Sequence, residues 1–143
     1  MSKEFKQKLT LPGTPKQVFE ALTTSRFHSK FTGAPAFVSK TPGGKFSAYN
    51  GHCLGRNIEL KSNKFIVQAW RAKNWRKDVF SIVTFRLKNT ENKKCILEFS
   101  HAGIPDDELA KIKDGWTEHY WKPLKKYLRE QNATVTNIRR KAA

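Results

Sequence analysis

IPDDELAKIKDGWTEHYWKPLKKYL, residues 104–128, is the stretch whose reading decides the fold. Leu109, Ile112, Trp116, Tyr120, Leu124 and Leu128 recur in it at spacings of three and four, so one apolar stripe runs along a helix. Asp106, Asp107 and Glu108 stand in the first turn, and Lys122, Lys125, Lys126 and Arg129 close the last, the charge order that suits the helix macrodipole. Pro123 removes one backbone hydrogen bond inside this segment and predicts a bend. Gly115 beside Trp116 costs a helix about 1 kcal/mol. That cost predicts a packing role, a close approach of the helix to whatever covers its stripe.

The cover lies upstream. Phe5, Gln7, Leu9 and Leu11 alternate with Lys6, Lys8 and Thr10, the period of a half-buried strand, until Pro12-Gly13 breaks it. Thr14-Pro15-Lys16-Gln17 reads as a helix start with Thr14 as N-cap, Pro15 at the first turn and Gln17 completing a capping box. Val18, Phe19 and Leu22 share one face of that short helix, and Ser25 is the expected cap of a second one carrying Phe27 and Phe31 inward. From about residue 36 the pattern turns to strands, with candidates at 45–49, 52–60, 65–71, 79–88 and 94–101. Pro42-Gly43-Gly44 and Asn50-Gly51 are turn signals, the second a two-residue hairpin cue. Leu54, Ile58 and Leu60 are assigned to one face of their strand, and Val83, Phe85 and Leu87 to one face of theirs. The connections are too short for parallel crossovers, so the sheet is an antiparallel meander. A sheet that curls around the long helix buries both apolar surfaces. The expected fold class is α+β, one domain over residues 1–130 followed by a basic, frayed tail at 131–143 that ends in Arg139-Arg140-Lys141.

Of the 143 residues, 28 are Lys or Arg and 12 are Asp or Glu, a formal net charge of +16. A surplus that large repels itself and suits an anionic partner. Cys53 and Cys95 form no CxxC pair and read as buried free thiols in an intracellular protein. The charged start MSKEFKQKLTL carries no apolar leader, and no run nears the ~20 apolar residues of a membrane span. A cytoplasmic location follows as the expectation.

An ordered set of residues resembles a known family: Phe31-Thr32-Gly33-Ala34-Pro35, Gly43-Gly44-Lys45-Phe46, Gly51, Gly55, Ile66-Val67 with Trp70-Arg71, Trp75, Ser81 with Val83-Thr84, Ile104-Pro105, and Gly115-Trp116 with Tyr120. Together they make residues 5–128 similar to the C-terminal domain of the activators of the heat-shock protein 90 ATPase, a branch of the START-like, birch-pollen-allergen-like helix-grip superfamily. The resemblance implies a curved antiparallel sheet of six or seven strands around a long C-terminal helix, with two short helices after the first strand. It also implies a co-chaperone role, docking on heat-shock protein 90 and modulating its ATPase cycle. Two departures accompany the likeness. The separate N-terminal domain of the two-domain activator is not expected within these 143 residues, and position 56 is Arg where relatives often carry an acid after the glycine.

For Trp70, Trp116, Tyr120 and Trp121 two roles stand open, the lining of a cavity between helix and sheet or plain filling of the core; Phe19, Phe85 and Phe99 join that cavity-or-core group. Trp75, in the loop Ala72–Asp78, is either an interface anchor flanked by cations or a ring folded back on the sheet. The charge runs supply the candidate partner-binding set: Arg71, Lys73, Trp75, Arg76 and Lys77, with Lys122, Lys125 and Lys126. The expected partner is an acidic protein surface, with the chain itself a monomer. A small apolar ligand or lipid carried in a helix–sheet cavity is the alternative. His28, His52, His101 and His119 are scattered without metal-ligand spacing, so no metal or cofactor is expected. No nucleophile elbow or phosphate-binding glycine loop is present, and a helix start accounts for Asp106-Asp107-Glu108, so the chain is not expected to be an enzyme. No RNP-like strand, helix-turn-helix or zinc-finger spacing supports nucleic acid, despite the basic charge.

Overall fold

A computed structural model describes the backbone of residues 2–142 and the side chains of residues 3–133. Strand β1 (Ser2–Leu11) leads into helices α1 (Pro15–Thr23) and α2 (Ser25–Thr32). Strands β2 (Phe37–Val38), β3 (Lys45–Ala48), β4 (Cys53–Lys61), β5 (Phe65–Ala72), β6 (Ser81–Asn89) and β7 (Cys95–Pro105) follow. They form one antiparallel sheet in the order β1-β7-β6-β5-β4-β3-β2, so consecutive strands pair and β1 closes against β7. A 3-10 turn at Asp106–Glu108 opens the last helix, which divides into α3 (Leu109–Trp116), a π-turn at Thr117–Trp121 and α4 (Lys122–Ala142).

The capping box forms as read: the Gln17 amide nitrogen donates to Thr14 Oγ1, and the Thr14 amide donates to Gln17 Oε1 at 2.9 Å. Ser25 does not cap α2. The N-cap is Thr24, and the Ser25 hydroxyl instead accepts the Val38 amide at 2.8 Å, tying α2 to the edge strand β2.

Two bulges decide which side chains face the helix. In β4 the pairing shifts between Asn57 and Glu59 and leaves Ile58 unpaired. An extra residue flips the inward–outward parity of everything beyond it. Leu54, Ile58 and Leu60 therefore do not share a face: Ile58 is exposed, Leu60 packs on the core, and Asn57 is the buried residue between them. Its amide nitrogen donates to the Ser39 carbonyl at 2.8 Å, and its Oδ1 accepts from Gln68 at 3.2 Å. In β7 Gly103 adopts φ +80°, and the register with β1 shifts opposite it, between Lys3 and Glu4. The parity of Cys95, Leu97, Phe99 and His101 thereby passes to Ile104, and the strand runs four residues past its expected end.

The turn at Asn50-Gly51 is not a two-residue loop. Four residues, Tyr49 to His52, join β3 to β4, with positive φ at Tyr49, Asn50 and Gly51. The core lies between the sheet's inner face, with Phe5, Ile66, Trp70, Val83, Phe85, Leu87, Leu97 and Phe99, and the last helix, with Trp116, Tyr120, Trp121, Leu124 and Leu128. Phe31 of α2 closes one end, 6.1 Å from Tyr120 between ring centres. The tail expected at 131–143, with Arg139-Arg140-Lys141, lies from residue 134 onward outside the residues whose side chains are described.

Candidate functional site

Pro123 shapes the site. It has no N–H to give the carbonyl of His119 four residues back, and its ring crowds that carbonyl. The chain answers with the π-turn, in which the Lys122 amide reaches back to Thr117. The wider turn brings Tyr120 and Trp121 inward together, so the buried stripe is broader than a strict spacing of three and four allows. The carbonyl that Pro123 leaves free accepts the Tyr49 hydroxyl, which ties the β3–β4 loop to the helix. Tyr49 holds φ +51°, a backbone region costly for an aromatic residue.

Between this loop and the helix opens a cavity of about 640 Å³. Trp70, Ala72, Cys53, Ile112, Trp116 and Tyr120 form its apolar wall; Tyr49, His52, Lys111, Asp114, Glu118 and His119 stand at its polar margin. The expected close approach at Gly115 is not found. A Cβ there would meet nothing nearer than the His119 ring at 4.0 Å, because Gly115 faces this open space. Trp70, Trp116 and Tyr120 thus serve both roles considered for them, buried in the core and walling the cavity. Trp121 does not line it; its indole stacks on Trp116 and donates to Gln7 Oε1 at 2.7 Å. Phe85 and Phe99 are core, and Phe19 packs half-buried against it. Burial pushes the Cys53 thiol up to about 12, so it stays protonated and a poor nucleophile at neutral pH. Cys53 and Cys95 are both free, the first half-buried and the second buried.

A serine and a histidine meet beneath the cavity, a pairing that residues 81 and 101 do not announce along the chain. Ser81 Oγ lies 2.7 Å from His101 Nε2, and the Trp116 indole N–H donates to His101 Nδ1 at 3.0 Å. An indole nitrogen only donates, so Nδ1 is the acceptor and Nε2 carries the proton. Nε2–H therefore donates to Ser81, whose hydroxyl donates onward to the Trp70 carbonyl at 2.8 Å. This direction leaves no lone pair to take a proton from serine, so the pair is not wired as nucleophile and base. Burial pushes His101 down to about 3, which keeps it neutral. The chain Trp116–His101–Ser81–Trp70 fastens the helix to β5, β6 and β7.

The basic candidates fall on two elements. Lys73, Arg76 and Lys77 are exposed on the β5–β6 loop. Trp75 turns inward and packs edge-on against Trp70 at 5.5 Å, 7 % exposed, so the loop offers cations outward and no ring. Half-buried Arg71 donates to the Trp75 carbonyl and lies over the Phe80 ring. Lys122 pairs with Glu118 at 2.6 Å, while Lys126 is exposed and Lys125 half-buried on the same helix. A second concavity, of about 670 Å³, was not visible along the chain. It lies on the outer face of β3, β4 and β5 and gathers Arg71 and Lys77 with Lys45, Arg56, Phe37 and Phe80. The signal that finds it is cross-strand register, which places Lys45 opposite Arg56. Among the described residues no three His, Cys, Asp or Glu side chains cluster to hold a metal, and no helix is long and apolar enough to cross a membrane.

A family profile described as "Activator of Hsp90 ATPase homolog 1-like protein" matches residues 12–129. The chain is 32% identical over 124 residues to the activator of 90 kDa heat shock protein ATPase homolog 1 of Homo sapiens, across 82% of this chain and 36% of that one. It is 32% identical over 115 residues to the corresponding Dictyostelium discoideum homolog, across 80% of this chain and 30% of that one. The chain thus spans about a third of the length of these curated relatives. Among solved structures, an HSP90 activator from Plasmodium falciparum superposes with a TM-score of 0.78 at 26% identity, covering 82% of this chain and 89% of that one.

Proposed function

Because the chain belongs to the Activator of Hsp90 ATPase homolog 1-like family, we propose that it is a co-chaperone that binds heat-shock protein 90 and stimulates its ATPase through a basic docking surface. The observation that carries this reading is the match of residues 12–129 to that family. The charge supports it: +16 on 143 residues favours an acidic protein surface, and Lys73, Arg76 and Lys77 stand exposed on one loop. A binder raises the turnover of another enzyme only by holding its active conformation more tightly than its resting one. Docking is therefore to the hydrolysis-competent state of the chaperone, with no chemistry supplied by this chain. The test adds the chain to the cognate chaperone and follows ATP hydrolysis, beside a variant with Lys73, Arg76 and Lys77 changed to Gln. Stimulation that the variant loses, and that weakens as salt rises, is the expected result. No binding even at low salt refutes the reading.

The cavity favours a second reading, a carrier of a small apolar ligand. Its volume of about 640 Å³ lies within the range of ligand pockets, and aromatic rings wall it. Gly115→Phe projects a ring into that space. It should abolish uptake of an apolar fluorescent dye while the fold persists; unchanged uptake, or none by the native chain, dismisses the carrier.

A further inference from the structure

The outer face of β3, β4 and β5 carries a groove built against its own stability. Pairing across the sheet lines up Phe37, Ser47, Leu54 and Arg71 in one row and Lys45, Arg56, Ala69 and Ile82 in the next. Lys45 and Arg56, both exposed, stand directly opposite each other, and like charges in that position destabilise a sheet. Arg71 and Lys77 add two more cations to the same concavity, and no carboxylate lines it. Phe37 and Phe80 are 62% and 49% exposed, with Ile82 at 41% at the end of the second row. Arg71 lies over the Phe80 ring, but Phe37 stays open to solvent, and exposed apolar rings rimmed by polar groups mark an interaction surface. An anion that lies between Lys45 and Arg56 relieves their repulsion, and an apolar side chain between the rings removes their exposed surface from water.

From this we propose that the groove binds an extended acidic peptide segment with one large apolar side chain between its carboxylates. From β2 to β5 is three strand spacings, about 14 Å, the length of roughly four extended residues. The apolar side chain seats against Phe37, Leu54 and Phe80, and the flanking carboxylates meet Lys45 with Arg56 on one side and Arg71 with Lys77 on the other. Because the site is a trough with aromatic walls, it fits a strand-like segment rather than the plane of a lipid surface. The inference rests on the docking reading above, and supplies the chemistry of the segment that the chaperone, or another acidic partner, would present.

The test uses a labelled peptide of glutamate and glycine around a single phenylalanine, titrated at low salt into the full chain, beside the same peptide with alanine at the centre. Vesicles containing phosphatidylserine and the cognate chaperone form two further arms. The phenylalanine peptide should bind, and the alanine peptide should bind at least about tenfold more weakly. Arg56→Glu should abolish peptide binding and leave the thermal midpoint of the free protein near that of wild type, since the new attraction to Lys45 offsets the lost hydrogen bond from Arg56 Nη1 to the Gly43 carbonyl, 3.1 Å. A midpoint that holds while binding is lost separates lost binding from lost folding. Phe37→Ser with Phe80→Ser should weaken the peptide by a similar factor and leave the midpoint in place. Equal binding of both peptides, or indifference to Arg56→Glu, overturns the groove. So does binding to vesicles without binding to peptide. If the chaperone binds wild type and Arg56→Glu alike while the peptide fails, the groove falls and the docking reading stands. If the peptide binds as expected and the chaperone does not, the docking reading falls and the groove stands.

Discussion

Acid should loosen this fold through two buried histidines, His101 and His28. His101 is 0 % exposed and burial pushes it from 6.5 down to about 3; His28, 6 % exposed, goes down to about 4 for the same reason. A depressed folded-state value means that the neutral form is the one the fold accepts. Its contribution to stability is whole above pH 6.5 and drains away as pH falls from there toward 3. At pH 5.5 the unfolded histidine holds a proton that the folded one refuses, which costs roughly 1–2 kcal/mol per residue. Together the two lower the unfolding free energy by about 3 kcal/mol between pH 7.5 and 5.5, a large part of the ~5–15 kcal/mol that holds a domain folded. Urea unfolding at the two pH values, followed by tryptophan fluorescence, measures the drop. His101→Gln cannot take up a proton, so its drop should be about half that of wild type whatever the substitution costs at pH 7.5. Exposed carboxylates are common to both proteins and cancel in the comparison. Equal drops in the two proteins, or none in wild type, would refute the neutral His101 on which the Trp116–His101–Ser81 wiring depends.

Gly115→Ala should stabilise the chain by up to about 1 kcal/mol, seen as a higher urea midpoint, because the new methyl group enters open space and helix propensity improves; a lower midpoint would restore the close-approach reading. Trp75→Ala should cost about 3–5 kcal/mol in the same unfolding assay, as expected for a ring packed on Trp70. A variant that keeps wild-type stability and loses only partner binding would instead make Trp75 an exposed anchor. Thr14→Ala removes a hydroxyl cap and half of a capping box and should lower stability by about 1 kcal/mol, while an unchanged midpoint would mean that α1 is held by packing alone.

The elements themselves were legible because each obeys a local rule. Alternation in β1 and β6, Thr14 and Gln17 around α1, and the stripe from Leu109 to Leu128 each concern residues within one or two turns of one another. The expectations that failed did so where a distant contact outweighed the local one. Ser25 is a good cap by type, yet its hydroxyl serves Val38, thirteen residues on. Ile58 belongs to an apolar alternation, yet burying the hydrogen-bonded Asn57 sets the bulge that turns it outward. Gly115 looked like a contact and faces a void.

The sequence by itself determined that a basic chain of this length must wrap an antiparallel meander around one tryptophan-bearing helix, since period, capping and turn chemistry act over a few residues and need no partner across the fold. Only the tertiary structure decided where the chemistry sits. Ser81, His101 and Trp116 are joined by strand register and helix packing, the cavity opens where the Tyr49 loop meets the helix across the sheet, and Lys45 faces Arg56 because β3 and β4 pair in one phase rather than another. Register and packing are settled by the sum of many contacts at once, and no stretch of the chain carries that sum alone.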